Sequence, residues 1–241
     1  MDKNFFIYGD FDTRDYGLLV FKKNPYNAKR PKVKHSERIG RNGVIFQNGK
    51  NFGAFTQEYT CFLLNIDNPI VTMEEIRSEL LAPFAGETRL EDSYDRDVFY
   101  LGTINSDFSI RRNNMDKNFA FDVSFIVQPQ RFLKDGQHEI FNPSEINNPT
   151  HNNAHPIMTF TTSDTAGSIS FGLDSALSFS RLETGTTVIF DADTLDARAE
   201  DGASLNEYIY IGNDVFLRSG LNSVMTYGVS DLKIVPRWWI L

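Results

Sequence analysis

Bulky and small or polar residues alternate most strictly over Asn118–Gln128. There Phe119, Phe121, Val123, Phe125 and Val127 are interleaved with Ala120, Asp122, Ser124, Ile126 and Gln128. A period of two places those large side chains on one buried face of a strand. Phe55–Ile66 and Val98–Ile104 read as further strands from their β-branched and aromatic content. Asn42-Gly43 is a hairpin-type turn signal, because both residues tolerate positive φ. One helix interrupts the pattern. Thr72 and Glu75 form a capping box, with Val71 and Ile76 as its hydrophobic staple. Pro83 closes the helix, which is expected over 73–82 with Ile76, Leu80 and Leu81 as a single apolar stripe.

Past residue 156 the pattern changes to short strands parted by Gly, Asp, Ser and Asn: Ile157–Thr161, Ser168–Leu173, Thr186–Phe190, Tyr208–Ile211, Val224–Tyr227 and Leu232–Val235. This rhythm predicts a β-sandwich. Asp191–Gly202 is acidic and contains alanine but lacks an apolar stripe, so no helix is expected there. The stretch 136–156 is rich in Pro and Asn and has almost no apolar periodicity, which reads as a connector. The expected organisation is mainly β: an N-terminal β domain over 1–135 with its one helix, a linker over 136–156, and a C-terminal sandwich over 157–241.

Charge supports the division. The chain has 241 residues and a formal net charge of −8. Residues 1–135 hold 19 Lys/Arg and 19 Asp/Glu, whereas 136–241 hold 5 and 13, so the whole excess lies in the second part. Within the first, Lys22–Lys50 carries nine Lys/Arg against the single Glu37, a local charge of +8. Three readings of this arm stay open: a solvated loop, contact with an acidic surface of another copy through Lys29, Arg30, Lys32, Lys34 and Arg41, or nucleic-acid binding with Tyr26 available to stack. The single Cys61 excludes an intramolecular disulfide and multi-cysteine zinc sites. No apolar run approaches the roughly 20 residues of a membrane-spanning helix. The N-terminus lacks a basic stretch followed by an apolar run, so cytoplasmic synthesis and folding are expected.

Candidate chemistry is sparse. His151 and His155 have i, i+4 spacing, but Asn152, Asn153 and Pro156 put them in a loop. Asp191, Asp193 and Asp196 begin like a calcium loop, yet Leu195 and Asp196 occupy the fifth and sixth positions and Gly202 the twelfth, where a ligand, a glycine and a glutamate are required. Glu91, Asp92, Asp95 and Asp97 form a carboxylate cluster with no register that converges them. Cys61 lies in an apolar strand, which predicts a buried, inert thiol. The final DLKIVPRWWIL holds both tryptophans. A locked core strand is expected, with one ring, Trp239, at an edge or contact.

The order of these features resembles the distal tail protein family of long-tailed phages that infect Gram-positive bacteria. The residues carrying the resemblance are Tyr16-Gly17-Leu18, Ile39-Gly40-Arg41-Asn42-Gly43, the capped helix, Phe119–Arg131 with Gln128-Pro129, and Asn148-Pro149-Thr150 through His155-Pro156-Ile157. Asn206, Gly220-Leu221-Asn222 and Ile234-Val235-Pro236-Arg237-Trp238 complete the set. Two positions depart from the family pattern: Ile39 stands where proline is frequent, and Trp239 where arginine is common.

The resemblance implies a hexameric ring formed by the N-terminal domains, with galectin-like C-terminal sandwiches projecting outward. Such a ring joins the tail tube protein to tail-tip, fibre or receptor-binding proteins, and lets the genome pass without specific binding. A virion component without catalytic residues, cofactor, metal or membrane contact is the expectation. The rival reading is a glycan-binding module that recognises host cell-wall saccharide through the C-terminal sandwich. A hydrolase built on the carboxylate clusters is a third.

Overall fold

The alternation of β6 and β10 organises the first half. In a computed structural model, residues 4–25, 33–37, 44–48, 52–63, 73–81, 87–105, 109–112, 119–212 and 214–241 are described. They fall into two units, each with its own core: one up to Arg131, the other Phe132–Ile240.

The strands of the first unit are β1 (Phe6–Tyr8), β2 (Phe11–Asp12), β3 (Leu18–Lys23), β4 (Val33–Glu37), β5 (Val44–Asn48), β6 (Phe55–Leu63), β7 (Thr88–Asp92), β8 (Val98–Ile104), β9 (Ser109–Arg112) and β10 (Phe119–Leu133), which runs on into the second unit. Helix α1 spans Met73–Leu81. The main sheet has the order β2-β1-β7-β8-β10-β6-β3, with β9 also on β10, while β4 and β5 pair only with each other among the described residues. In β10 Phe121, Val123, Phe125 and Val127 of the expected inward set are buried, as is the Cys61 thiol in β6, where Tyr59 joins them. β10 outlasts its predicted end. Its ladder with β6 stops at Val127–Phe55, so Pro129 lies where no N–H is required by that neighbour.

The sheet curls. Leu18 N–H bonds the Thr13 carbonyl and Val20 N–H bonds that of Asn4, which ties β3 to the start of the chain. Inside, Phe6, Tyr8, Tyr59 and Phe125 form an aromatic cluster with centroids 4.9–6.0 Å apart. Ile76 and Leu80 of α1 are fully buried against this core, as the stripe predicts. Thr72, Val71 and Pro83, the expected cap, staple and stop, lie outside the described residues, as does Asn42-Gly43.

The second unit holds β11 (Ile140–Phe141), β12 (Glu145–Asn148), β13 (Ile157–Thr162), β14 (Ala166–Phe171), β15 (Ser175–Ser180), β16 (Thr187–Asp191), β17 (Asp196–Ala199), β18 (Ile209–Ile211), β19 (Gly220–Tyr227), β20 (Val229–Val235) and β21 (Trp239–Ile240). Two five-stranded sheets, β11-β20-β13-β16-β17 and β12-β19-β14-β15-β18, share one core that includes Met158, Phe160, Ile169, Phe171, Phe179 and Phe190. This is the expected sandwich.

The connector expected over 136–156 is instead part of it. β11 pairs with β20, β12 pairs with β19, and Ile146 and Ala154 are in the core. Polarity misled because the asparagines work inside. Asn148, 2% exposed, donates to the carbonyls of Asn152 and Leu217 and accepts the Thr150 N–H and hydroxyl. Asn222, also 2% exposed, donates to the carbonyls of Ile146, Arg218 and Gly220. These amides satisfy loop backbone that sheet ladders do not reach.

Candidate functional site

The densest buried charge in the first unit is centred on Asp92. Its Oδ2 lies 2.5 Å from the Lys23 ammonium, the two side chains being 1% and 10% exposed. The same oxygen accepts the Tyr59 hydroxyl at 2.7 Å, while Oδ1 accepts the N–H groups of Tyr94 and Asp95 at 2.9 and 3.1 Å. The ammonium also faces the rings of Tyr100 and Tyr94, at 5.4 and 5.8 Å. Burial, followed by the Asp92 charge, holds the Tyr59 phenol well above its usual range, so it stays a donor. The arrangement is closed and structural. It fixes the end of β3, and beside it Asn24 N–H bonds the Glu58 carbonyl at 3.0 Å while the Gln57 amide donates to the Asn24 carbonyl at 3.2 Å.

The rest of the first carboxylate cluster does not converge. Glu91 pairs with Arg89 at 2.5 Å, and Asp95 pairs with Arg131 at 3.1 Å. In the second unit Asp191 and Asp193 share Arg237, at 2.7 and 3.6 Å. Asp196 binds the Asn206 amide and Arg198, which in that order lower its pKa. His155 stands between Asp214 at 3.0 Å and Asp193 at 3.8 Å. Among the described residues no group of three or more His, Cys, Asp or Glu gathers to hold a metal ion. Cys61 is fully buried, and desolvation, with a further push from Asp122, raises its thiol to about 12. Such a group is a poor nucleophile at neutral pH.

Of the six candidate interface residues, Lys29, Arg30, Lys32 and Arg41 lie outside the described residues. Lys34 is the second residue of β4, opposite Gln47. Trp239 is half-buried against the second core. Its indole N–H donates to the Asn153 carbonyl at 2.8 Å, and its own carbonyl accepts the Asn152 amide. Trp238 is the core ring, 4% exposed. Arg237, at φ 60°, turns the chain between β20 and β21.

A surface missed in the sequence lies on the outer side of the β12-β19-β14-β15-β18 sheet, where Leu221, Met225, Tyr227 and Tyr210 are all more than half exposed. The run Leu221–Tyr227 has apolar or aromatic residues at both parities, so alternation could not say which side faces out.

Comparison with known proteins places the fold. No family model and no curated protein matches the sequence. Among solved structures, the chain is similar over 100% of both lengths to the Dit (gp 19.1) protein of phage SPP1, with a TM-score of 0.70 at 13% identity; that structure is described as a paradigm of the hub adsorption apparatus in phages infecting Gram-positive bacteria. A chain of the phage P2 baseplate in its activated, calcium-bound conformation matches over 97% of both chains, at a TM-score of 0.54 and 11% identity. A chain of the strontium-bound baseplate covers 96% of this chain and 97% of that one, at 0.51 and 10%. The curled β-rich unit with its helix, followed by a two-sheet sandwich, is the fold of the phage Dit hub proteins.

Proposed function

We propose that this protein is a non-enzymatic structural hub at the distal end of a phage tail, where copies form a hexameric ring. The observation that carries the reading is the likeness to SPP1 Dit along the full length of both chains, which joins two dissimilar units in the same order. The ring links the tail tube protein to tail-tip, fibre or receptor-binding proteins, and its channel passes the genome without sequence recognition. The site of action is the virion tail.

Two features support self-association. β4 and β5 form a hairpin with no further strand partner among the described residues, and a two-stranded hairpin is marginal alone. It lies within the +8 segment 22–50, while residues 136–241 carry a net −8. Opposite charges on two parts of one chain suit a head-to-tail contact, which closes into a ring.

Replacing Lys29, Arg30, Lys32, Lys34 and Arg41 together by glutamate is expected to leave a folded monomer. Light scattering and circular dichroism check this: native spectra at monomer mass support the arm as an interface, and rings of unchanged size contradict it.

A further inference from the structure

The 23 residues of β14, β15, β18 and β19 include no Asp, Glu, Lys, Arg or His. This is unexpected in a domain whose residues 136–241 hold 13 acidic and 5 basic side chains. The opposite sheet has an ordinary charged exterior, with Asp191, Asp196, Arg198 and Lys233 on β16, β17 and β20.

The register gives the uncharged face a layout. Tyr227 stands opposite Ser168, Ser168 opposite Ser178, and Ser178 opposite Tyr210. Two phenols, 66% and 51% exposed, thus end a row whose floor is two serines, three strand spacings or ~14 Å across. In the next row Met225 stands opposite Ser170, and Ser170 opposite Ala176. Ser178 donates to the Tyr210 carbonyl at 3.3 Å. Among the described residues, the hydroxyls of Ser168, Ser170, Tyr210 and Tyr227 have no protein partner.

We propose that this face binds an uncharged saccharide chain. Phenol rings present flat apolar surface to the C–H faces of sugar rings, and the hydroxyls between them meet sugar hydroxyls, with no charge to be desolvated. Charge selects the class. The unit's net −8 repels phosphate-bearing wall polymers, and the four strands that carry the tyrosine and serine rows offer a basic peptide no carboxylate, since the exposed Glu145 on this face lies on the edge strand β12, opposite Ser223 and outside those rows. A protein partner fits less well, because the floor between the tyrosines is serine and alanine, where interfaces centre on large buried anchors. The inference stands on this unit's own surface, so its failure leaves the hub reading intact.

The test is calorimetric titration of the full-length protein with neutral oligosaccharides of glucose, galactose and rhamnose, and with poly(glycerol phosphate) as the anionic contrast. At least one neutral series binds saturably, Tyr210→Ala and Tyr227→Ala each weaken it about tenfold, Tyr210→Phe retains most of it, and poly(glycerol phosphate) does not bind. Both side chains are exposed, so the variants keep the native dichroism spectrum. Silence with all three neutral sugars, binding that survives both alanine substitutions, or a tyrosine-dependent contact with a second copy or another protein in place of sugar overturns the proposal.

Discussion

Asp92→Ala lowers the stability of the first unit by about 3–5 kcal/mol, the cost of leaving one member of a buried ion pair without the other. Alanine removes every acceptor at this point: the Lys23 ammonium, the Tyr59 hydroxyl and the N–H groups of Tyr94 and Asp95 all lose their partner. Neither the ammonium nor the phenol regains water freely, since Lys23 is 10% exposed and Tyr59 1%. Urea unfolding followed by far-ultraviolet dichroism measures the loss. The double change Lys23→Met, Asp92→Leu recovers only the part due to the unpaired ammonium, because the Tyr59 hydroxyl and the N–H groups of Tyr94 and Asp95 still lack their acceptor. A single substitution costing under about 1 kcal/mol, the range of an exposed pair, shows the pair to be solvated and the account of the β3 anchor wrong.

Gly136→Val destabilises the second unit by about 3 kcal/mol, the upper end of ordinary overpacking. A Cβ at Gly136 would lie 2.5 Å from the Trp238 backbone nitrogen and 2.8 Å from two indole carbons. The nearest obstacle is backbone, and it is held: Arg237 N–H bonds the Gly136 carbonyl and Leu133 N–H bonds the Trp238 carbonyl, both at 2.8 Å. Relief therefore requires the segment before β21 to move away. Both tryptophans of the chain lie in this unit, so indole fluorescence reports it selectively. The Gly136→Val transition shifts to lower urea by fluorescence, whereas Asp92→Ala shifts dichroism first. An unchanged fluorescence midpoint in Gly136→Val contradicts the packing described.

What the sequence made legible was what alternation encodes. β8 matches its expected bounds, β6 is a strand as its composition suggests, β10 shows the expected inward face, and α1 occupies 73–81 of the expected 73–82, residue 82 lying outside the described residues. The sandwich was readable from strand rhythm, though β15 was missed because Ser-Ala-Leu-Ser-Phe-Ser resembles turn composition. In the hairpin between β14 and β15, Gly172 takes φ 66° and Leu173 is 99% exposed, so the strand expected to reach Leu173 ends at Phe171.

The connector expected over 136–156 failed for a different reason. Asparagine counts as polar in any composition, yet Asn148 and Asn222 are buried and bond backbone from distant segments, a role that depends on tertiary contacts. The site suffered the same limit. The acidic residues are taken up in separate pairs with Arg89, Arg198 and, from far along the chain, Arg237, which spacing does not reveal. The tyrosine rows required the cross-strand register of four strands, two of which, β14 and β19, pair residues as distant in the chain as Ser168 and Tyr227.

Whether the copies close into a ring is decided by negative-stain imaging of the purified full-length protein at modest salt, with its mass measured by light scattering in the same buffer. Six-fold rings with peripheral lobes and a mass of six chains of 27.5 kDa, or a multiple of that set, are the expected result. A protein that remains a monomer from dilute to concentrated solution, and forms no ring with its tail tube partner, contradicts the account.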